Sequence, residues 1–188
     1  MQDNPNQPPQ RSQYGDIWLV ILVRYVWSHR GIRLSLGMAL MLLAWDAAIT
    51  GSCLMSILVC PIWFLVSVLK NVIQRPGWRL ALIRIAIPPL MLGLMLANNS
   101  LQLRIAKANA ERVIAACEEF HAANGKFPET LDELVPQYLP SVPCAKYCQI
   151  YGELRYWNHG HPVLEWCVVP PFGRKIYNFD ERRWGYLD

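Results

Sequence analysis

A membrane α-helical region joined to an α+β domain, in which a long helix packs on a small antiparallel sheet, is the fold that three features of this 188-residue sequence predict. Leu34 to Leu69 is nearly free of charge. Leu80 to Ala97 is apolar and passes without a turn signal into the polar, helix-patterned run Asn98 to Asn124. After Cys148 the pattern changes to short aromatic-rich segments separated by turn residues.

The charges divide along the same line. Residues 1–97 hold 8 Lys and Arg against 3 Asp and Glu, and residues 98–188 hold 10 against 11. The basic excess therefore flanks the apolar runs. That is the positive-inside pattern of a membrane protein, not the face of a nucleic-acid binder.

Residues 1–13 are rich in Gln, Asn and Pro and are expected to be disordered. No basic segment precedes an apolar stretch with a small-residue cleavage site, so insertion is assigned to the membrane helices themselves. The membrane region is read as 14–97. Its first element, 16–28, meets Arg24 too early to span and carries Trp18, Tyr25 and Trp27, which suit a helix lying in the interface.

Leu34 to Leu69 is long enough for about two minimal spans. Its weakest point is Thr50-Gly51-Ser52, so spans at about 34–50 and 53–69 are predicted, against the alternative of one long tilted helix. Asp46 lies near the outer end of the first span. An acid inside a membrane is a functional hypothesis by default, but next to the turn it is expected to reach the headgroups. Cys53 and Cys60 read as small hydrophobes. The third span, about 80–97, contains Pro88-Pro89 as an expected kink. Arg11, Arg24, Arg30 and Arg33 before the first span and Lys70, Arg75, Arg79 and Arg84 around the third put the N-terminus in the cytoplasm and residues 98–188 on the opposite side.

In the polar half, Ala106, Ala110, Val113, Cys117 and Phe120 form the inward stripe of an amphipathic helix. Gly125 is placed to end it in a left-handed conformation. Thr130 to Glu133 has capping-box spacing and opens a short helix with Leu131, Leu134 and Val135. Strands are expected at Gln149 to Tyr151, Leu154 to Trp157, Val163 to Val168, Lys175 to Phe179 and Trp184 to Tyr186, forming an antiparallel meander of three or four.

A helix followed by Asn124-Gly125-Lys126-Phe127-Pro128, then Leu131 and Leu134, Tyr138-Leu139, Pro143 and aromatic strands resembles the globular domain of major pseudopilins, the type II secretion protein G-like chains. The similarity covers about residues 80–188. It implies structural roles for Asn124, Gly125, Phe127, Pro128, Leu131 and Leu134, a bacterial inner-membrane setting, a periplasmic or extracellular head, and protein partners in a secretion- or pilus-like assembly. The prepilin-peptidase site of that family is not matched: after Arg30-Gly31, Leu36 stands where the family has Glu. No metal site is carried over.

Four cysteines, Cys117, Cys144, Cys148 and Cys167, follow the third span. In an oxidising compartment they suggest disulfides, with Cys144–Cys148 as a short staple and Cys117–Cys167 as a second bridge. The competing enzyme reading gathers Cys144, Cys148, His159 and His161 into a zinc or thiol site. The spacings are common by chance, and no Cys-x-x-Cys accompanies them. Phosphate loops, Ser/His/Asp sets and HExxH are likewise missing from the sequence, so no catalytic residue, cofactor or small-molecule substrate is expected. The aromatics of the last forty or so residues read as sheet core and cross-strand pairs rather than a ligand cage. The partners expected are the lipid bilayer and other proteins.

Overall fold

The computed structural model describes residues 30–187. The expected disordered segment 1–13 and interfacial helix 16–28 lie outside them.

Helix α1, Arg30–Leu43, continues as a π-helical segment, Ala44–Thr50. Gly51, in the left-handed conformation at φ 61°, ends it. Helix α2, Leu54–Gln74, runs back antiparallel, and a left-handed Arg75 turns the chain into α3, Trp78–Asn124. The charge-poor stretch is thus two helices, broken where small polar residues were expected to break it. All three helices are long and apolar enough to cross a membrane.

α3 is one helix of 47 residues, through Pro88-Pro89 and past Asn98 without interruption. Its first half packs on α1 and α2 through a cluster that includes Ala39, Cys53, Cys60, Met91 and Met95. Its second half is the spine of the head. Ala106, Ala110, Val113 and Cys117 are completely buried there, and Phe120 packs edge-on to Tyr138 at 5.6 Å. The expected stripe is therefore the face that meets the sheet. Small residues at Ala106, Ala110 and Ala116 leave room for the large side chains of the same core, Trp166, Tyr177 and Phe179.

The sheet is a four-stranded antiparallel meander in the order β1-β2-β3-β4: β1 Arg155–Asn158, β2 Pro162–Val169, β3 Gly173–Asn178 and β4 Arg183–Leu187. Leu164 and Trp166 of β2 and Tyr177 of β3 point into the core, and Trp166 meets Trp184 edge-on at 5.0 Å. Each fully buried side chain such as Leu134 or Leu164 contributes roughly 1.5–3 kcal/mol.

Between helix and sheet, the Asn124–Pro128 motif makes a corner. Asn124 closes the last turn, its Nδ2 donating to the Phe120 carbonyl (2.9 Å), and Gly125 follows at φ 73°. Phe127 stacks on His121 at 4.3 Å and lies 5.2 Å from Phe179. The buried Pro128 offers its carbonyl to Tyr156 Oη at 2.9 Å, which ties β1 to the corner. The capping box of Thr130 and Glu133 forms on a 3-10 helix, Leu131–Leu134, whose two leucines enter the core.

Two expectations need correction. Gln149 to Tyr151 is not a strand. The Gln149 and Ile150 amides donate to the carbonyls of Ala48 (3.0 Å) and Ile49 (3.1 Å), so this segment pairs with the helical hairpin and not with the sheet. Asp46 does not extend toward the surface: it is fully buried, and its Oδ2 accepts the Ser56 amide at 2.8 Å. The start of α2 offers free N–H groups to an acid, and that interaction outcompetes solvent at this position.

Candidate functional site

The polar groups that sequence reasoning did not single out converge where the α1–α2 turn meets the head. Three pieces of chain build this seam: the π-helical segment with Gly51, the mid-helix position Gln102, and the loop between Pro143 and β1. π-helical turns widen the backbone spiral and free carbonyls from the regular ladder. Here Ala47 accepts Gln102 Nε2 at 3.2 Å, and Ala48 and Ile49 accept the loop amides.

The loop is held in shape by Gly152. A Cβ at that position would lie 2.3 Å from the Cys148 carbonyl oxygen and 2.7 Å from that of Lys146, so only glycine fits. This closure, with the Lys146 amide donating to the Gly152 carbonyl at 3.1 Å, sends the Lys146 side chain inward. Lys146 is among the most deeply buried side chains of the protein, only 1% exposed. Its Nζ donates to the carbonyls of Gly51 (3.2 Å) and Val168 (3.1 Å). Val168 sits at the irregularity between Cys167 and Val169 where the β2–β3 register shifts, and a bulge leaves such a carbonyl unpaired in the ladder. One amine thus joins the hairpin turn, the loop and the sheet.

Neither Lys146 hydrogen-bond partner is a carboxylate. Burial pushes the ammonium below its usual pKa, while the nearby thiols of Cys167, Cys148 and Cys53 act in the opposite sense. Burial pushes the Cys167 thiol up, against the pull of Lys146 and Arg174. A desolvated lysine ringed by thiols has the composition of a reactive centre. Its geometry is that of a pin: both carbonyls that hold it belong to the scaffold.

Gly51 is the other half of the lock. A Cβ there would lie 2.5 Å from Cys148 Sγ and 3.0 Å from Gln102 Oε1, and its positive φ disfavours any other residue. Around it, Asp46 Oδ1, Ser56 Oγ and Gln102 Oε1 are buried with no partner among the described residues, and Thr50 Oγ1 and Ser52 Oγ bond each other at 2.9 Å.

The sequence-derived candidates fall in different places. Cys117 is fully buried in the head core, Cys144 is exposed, Cys148 faces Gly51, and Cys167 sits partly buried with Sγ 3.7 Å from the Gly173 carbonyl. All are free thiols in the structure, so neither the Cys144–Cys148 nor the Cys117–Cys167 bridge is formed. His159 and His161 occupy the β1–β2 turn, where His161 Nδ1 lies 2.7 Å from Asp180 Oδ2. Among the described residues no three His, Cys, Asp or Glu side chains are gathered as a metal would need, so Cys144, Cys148, His159 and His161 do not form the cluster that the competing enzyme reading requires.

At the margin of the sheet's core-facing side, where Lys175 pairs with Trp166 and Tyr186, its Nζ sits over the rings of Trp166, Trp184 and Tyr186 at 5.7, 5.1 and 5.6 Å. Tyr186 is 70% exposed and Phe172 in the β2–β3 turn 78%. Comparison with protein-family models, curated proteins and solved structures finds no match to this chain.

Proposed function

We propose that this chain is a multi-pass protein of a bacterial inner membrane, with a cytoplasmic N-terminus and a pseudopilin-like head on the opposite side. It acts by contact, as a structural or interaction component of a secretion- or pilus-like assembly. The observation that carries this reading is α3, a single helix buried on one half by the apolar hairpin and on the other by the head. Such a rod fixes the height of the head above the bilayer. The seam at Lys146 and Gly51 fixes its orientation.

The membrane setting is supported by what the helices leave outside. Leu34, Met41, Ile62, Val72, Leu82 and Leu90 are each more than half exposed, an arrangement that water penalises and lipid does not. The basic residues Arg30, Arg33, Lys70, Arg75, Arg79 and Arg84 lie at the ends of the three helices remote from the head, which supports the orientation. The aromatic surface around Lys175, with Tyr186 and Phe172, is the kind of exposed patch that docks a partner.

A photoreactive amino acid at Phe172 or Tyr186, irradiated in native membranes, is expected to give discrete protein adducts. The absence of adducts from both positions refutes the contact role. A phosphatase reporter fused after Asp188 is expected to be active only if it is exported; an inactive fusion with an active cytoplasmic reporter refutes the orientation.

A further inference from the structure

α1 and α2 both pack on α3. Between them, toward the end where α1 begins and α2 finishes, runs an apolar groove of about 610 Å³ lined by Leu34, Met38, Val59, Ile62, Trp63 and Val66. It opens into a second space of about 210 Å³ whose walls are polar: Ser35, Ser67, Lys70, Gln74 and Arg84. Gly31, Ser35, Trp63, Val66 and Lys70 belong to both, so the two spaces are continuous.

The mouth is positively charged and, among the described residues, has no counter-ion. Arg84 reaches across it, donating from Nη1 to Gln74 Oε1 at 3.0 Å, and its Nη2 lies 2.9 Å from where a Cβ would stand at Gly31. The glycine thus lets the guanidinium lie directly against α1. Among the described residues, neither Lys70 nor Arg84 takes part in an ion pair. The only carboxylate between residues 30 and 97 is Asp46, buried at the opposite end of the hairpin.

Dimensions complete the description. From Lys70 to Val59, α2 advances about 16 Å at 1.5 Å per residue. That is about half of a ~30 Å hydrocarbon core, the depth of one leaflet. A pocket with two cations at its rim, neither in an ion pair among the described residues, and an apolar trough one leaflet deep matches one class of molecule.

We propose that this groove binds an anionic phospholipid, its phosphate held by Lys70 and Arg84 and one acyl chain laid between α1 and α2. Cationic pockets between spanning helices recognise anionic headgroups through charge-assisted hydrogen bonds, and the guanidinium adds a fork that suits phosphate oxygens. The inference rests on the membrane reading above, and the test separates the two.

The full chain in mild detergent is titrated with phosphatidylglycerol or with phosphatidylcholine of identical acyl chains, and bound lipid is counted by native mass spectrometry. Phosphatidylglycerol is expected to bind at least tenfold tighter. The Lys70→Gln/Arg84→Gln double variant is expected to lose that preference, whereas Arg79→Gln, outside the groove, keeps it. Met38→Trp, which fills the apolar trough away from the polar mouth, is expected to lose binding of both lipids. Glycerol phosphate, the headgroup without chains, is expected not to compete. Equal binding of the two lipids, a retained preference in the double variant, or effective competition by glycerol phosphate overturns the proposal. Carbonate extraction of native membranes is the separate control. A chain that stays in the pellet but binds without preference overturns the lipid site alone, and a chain released to the supernatant overturns the membrane reading as well.

Discussion

The two ends of α3 live by opposite rules. Before Gln102 its large apolar residues face outward: Leu82, Leu90, Leu94 and Leu101 are all more than half exposed, while the buried positions include Met91 and Met95. Beyond Leu101 no large apolar side chain of this helix is exposed, and Ala106 to Cys117 turn inward beneath the sheet. Both halves bury polar groups, Asp46, Ser56 and Ser67 in the helices and Lys146 and Glu165 in the head, but the head adds a dense apolar core with Val113, Leu134 and Leu164. A continuous backbone can therefore serve two solvents if the composition of its outer face changes over a turn or two. The seam of Gln102, Gly51 and Lys146 stands where that change occurs.

The largest expected effects test whether equal exposure means opposite things in the two halves. Leu90 and Tyr186 are 71% and 70% exposed. Leu90→Lys is expected to cost about 3 kcal/mol through a charge in hydrocarbon, and Tyr186→Glu, a charge facing Lys175 across the β3–β4 pair, to stay within about 0.5 kcal/mol. The membrane-inserted fraction and the Tm of each variant check this. Equal tolerance at both sites would erase the contrast.

Gly51→Ala asks whether the halves are locked. The left-handed backbone and the clash with Cys148 together should cost about 3 kcal/mol. Hydrogen exchange is expected to speed up at Gln149 and Ile150 while Val113 and Leu164 stay protected. Unchanged exchange at the loop would mean that the seam is not a lock.

Lys146→Met keeps the buried stem and leaves the carbonyls of Gly51 and Val168 without their donor, so a loss of about 2 kcal/mol is expected in thermal unfolding. An unchanged Tm would show that the desolvation of the amine cancels its hydrogen bonds. Asp46→Ala removes the acceptor of the Ser56 amide and is expected to cost about 1 kcal/mol, whereas Asp46→Asn retains most of the stability.

The smallest effect is alkaline softening of the head. Burial raises the Cys167 thiol above 9.0 and the phenols of Tyr156 and Tyr177 above 10.0. A proton held more tightly when folded gives stability that is complete below those values and is lost as pH rises past them. Lys146, lowered from 10.5, works the other way, because its burial penalty fades as it deprotonates. The Tm in detergent is therefore expected to fall above about pH 9, and to fall more steeply in Lys146→Met. An identical slope in the variant would remove Lys146 from the balance.

Much of the architecture could be read from the residues because its causes are local. Charge depletion marked the helices, Thr50-Gly51-Ser52 their break, and the spacing from Ala106 to Phe120 the buried stripe. Gly125 and the Thr130–Glu133 box announced their own backbone geometry. The seam was not readable in the same way. Lys146 looks like any loop lysine until Gly152 closes the loop and a bulge at Val168 supplies an acceptor. Gln149 to Tyr151 has the composition of a strand, and nothing local reveals that its partner is a helical turn. Asp46 was visible as an anomaly, but its burial depends on the N-terminus of α2 folding back over it.

Lys146 and Gly51 are 95 positions apart in the chain, and the amides of Gln149 and Ile150 close a loop of similar size. During synthesis the hairpin tip emerges long before the segment it receives, and bringing such distant ends together carries an entropic cost that only a preformed tip repays. The head can complete its last contacts only on a hairpin that is already in place, so its maturation doubles as a check that the first two helices have been seated correctly.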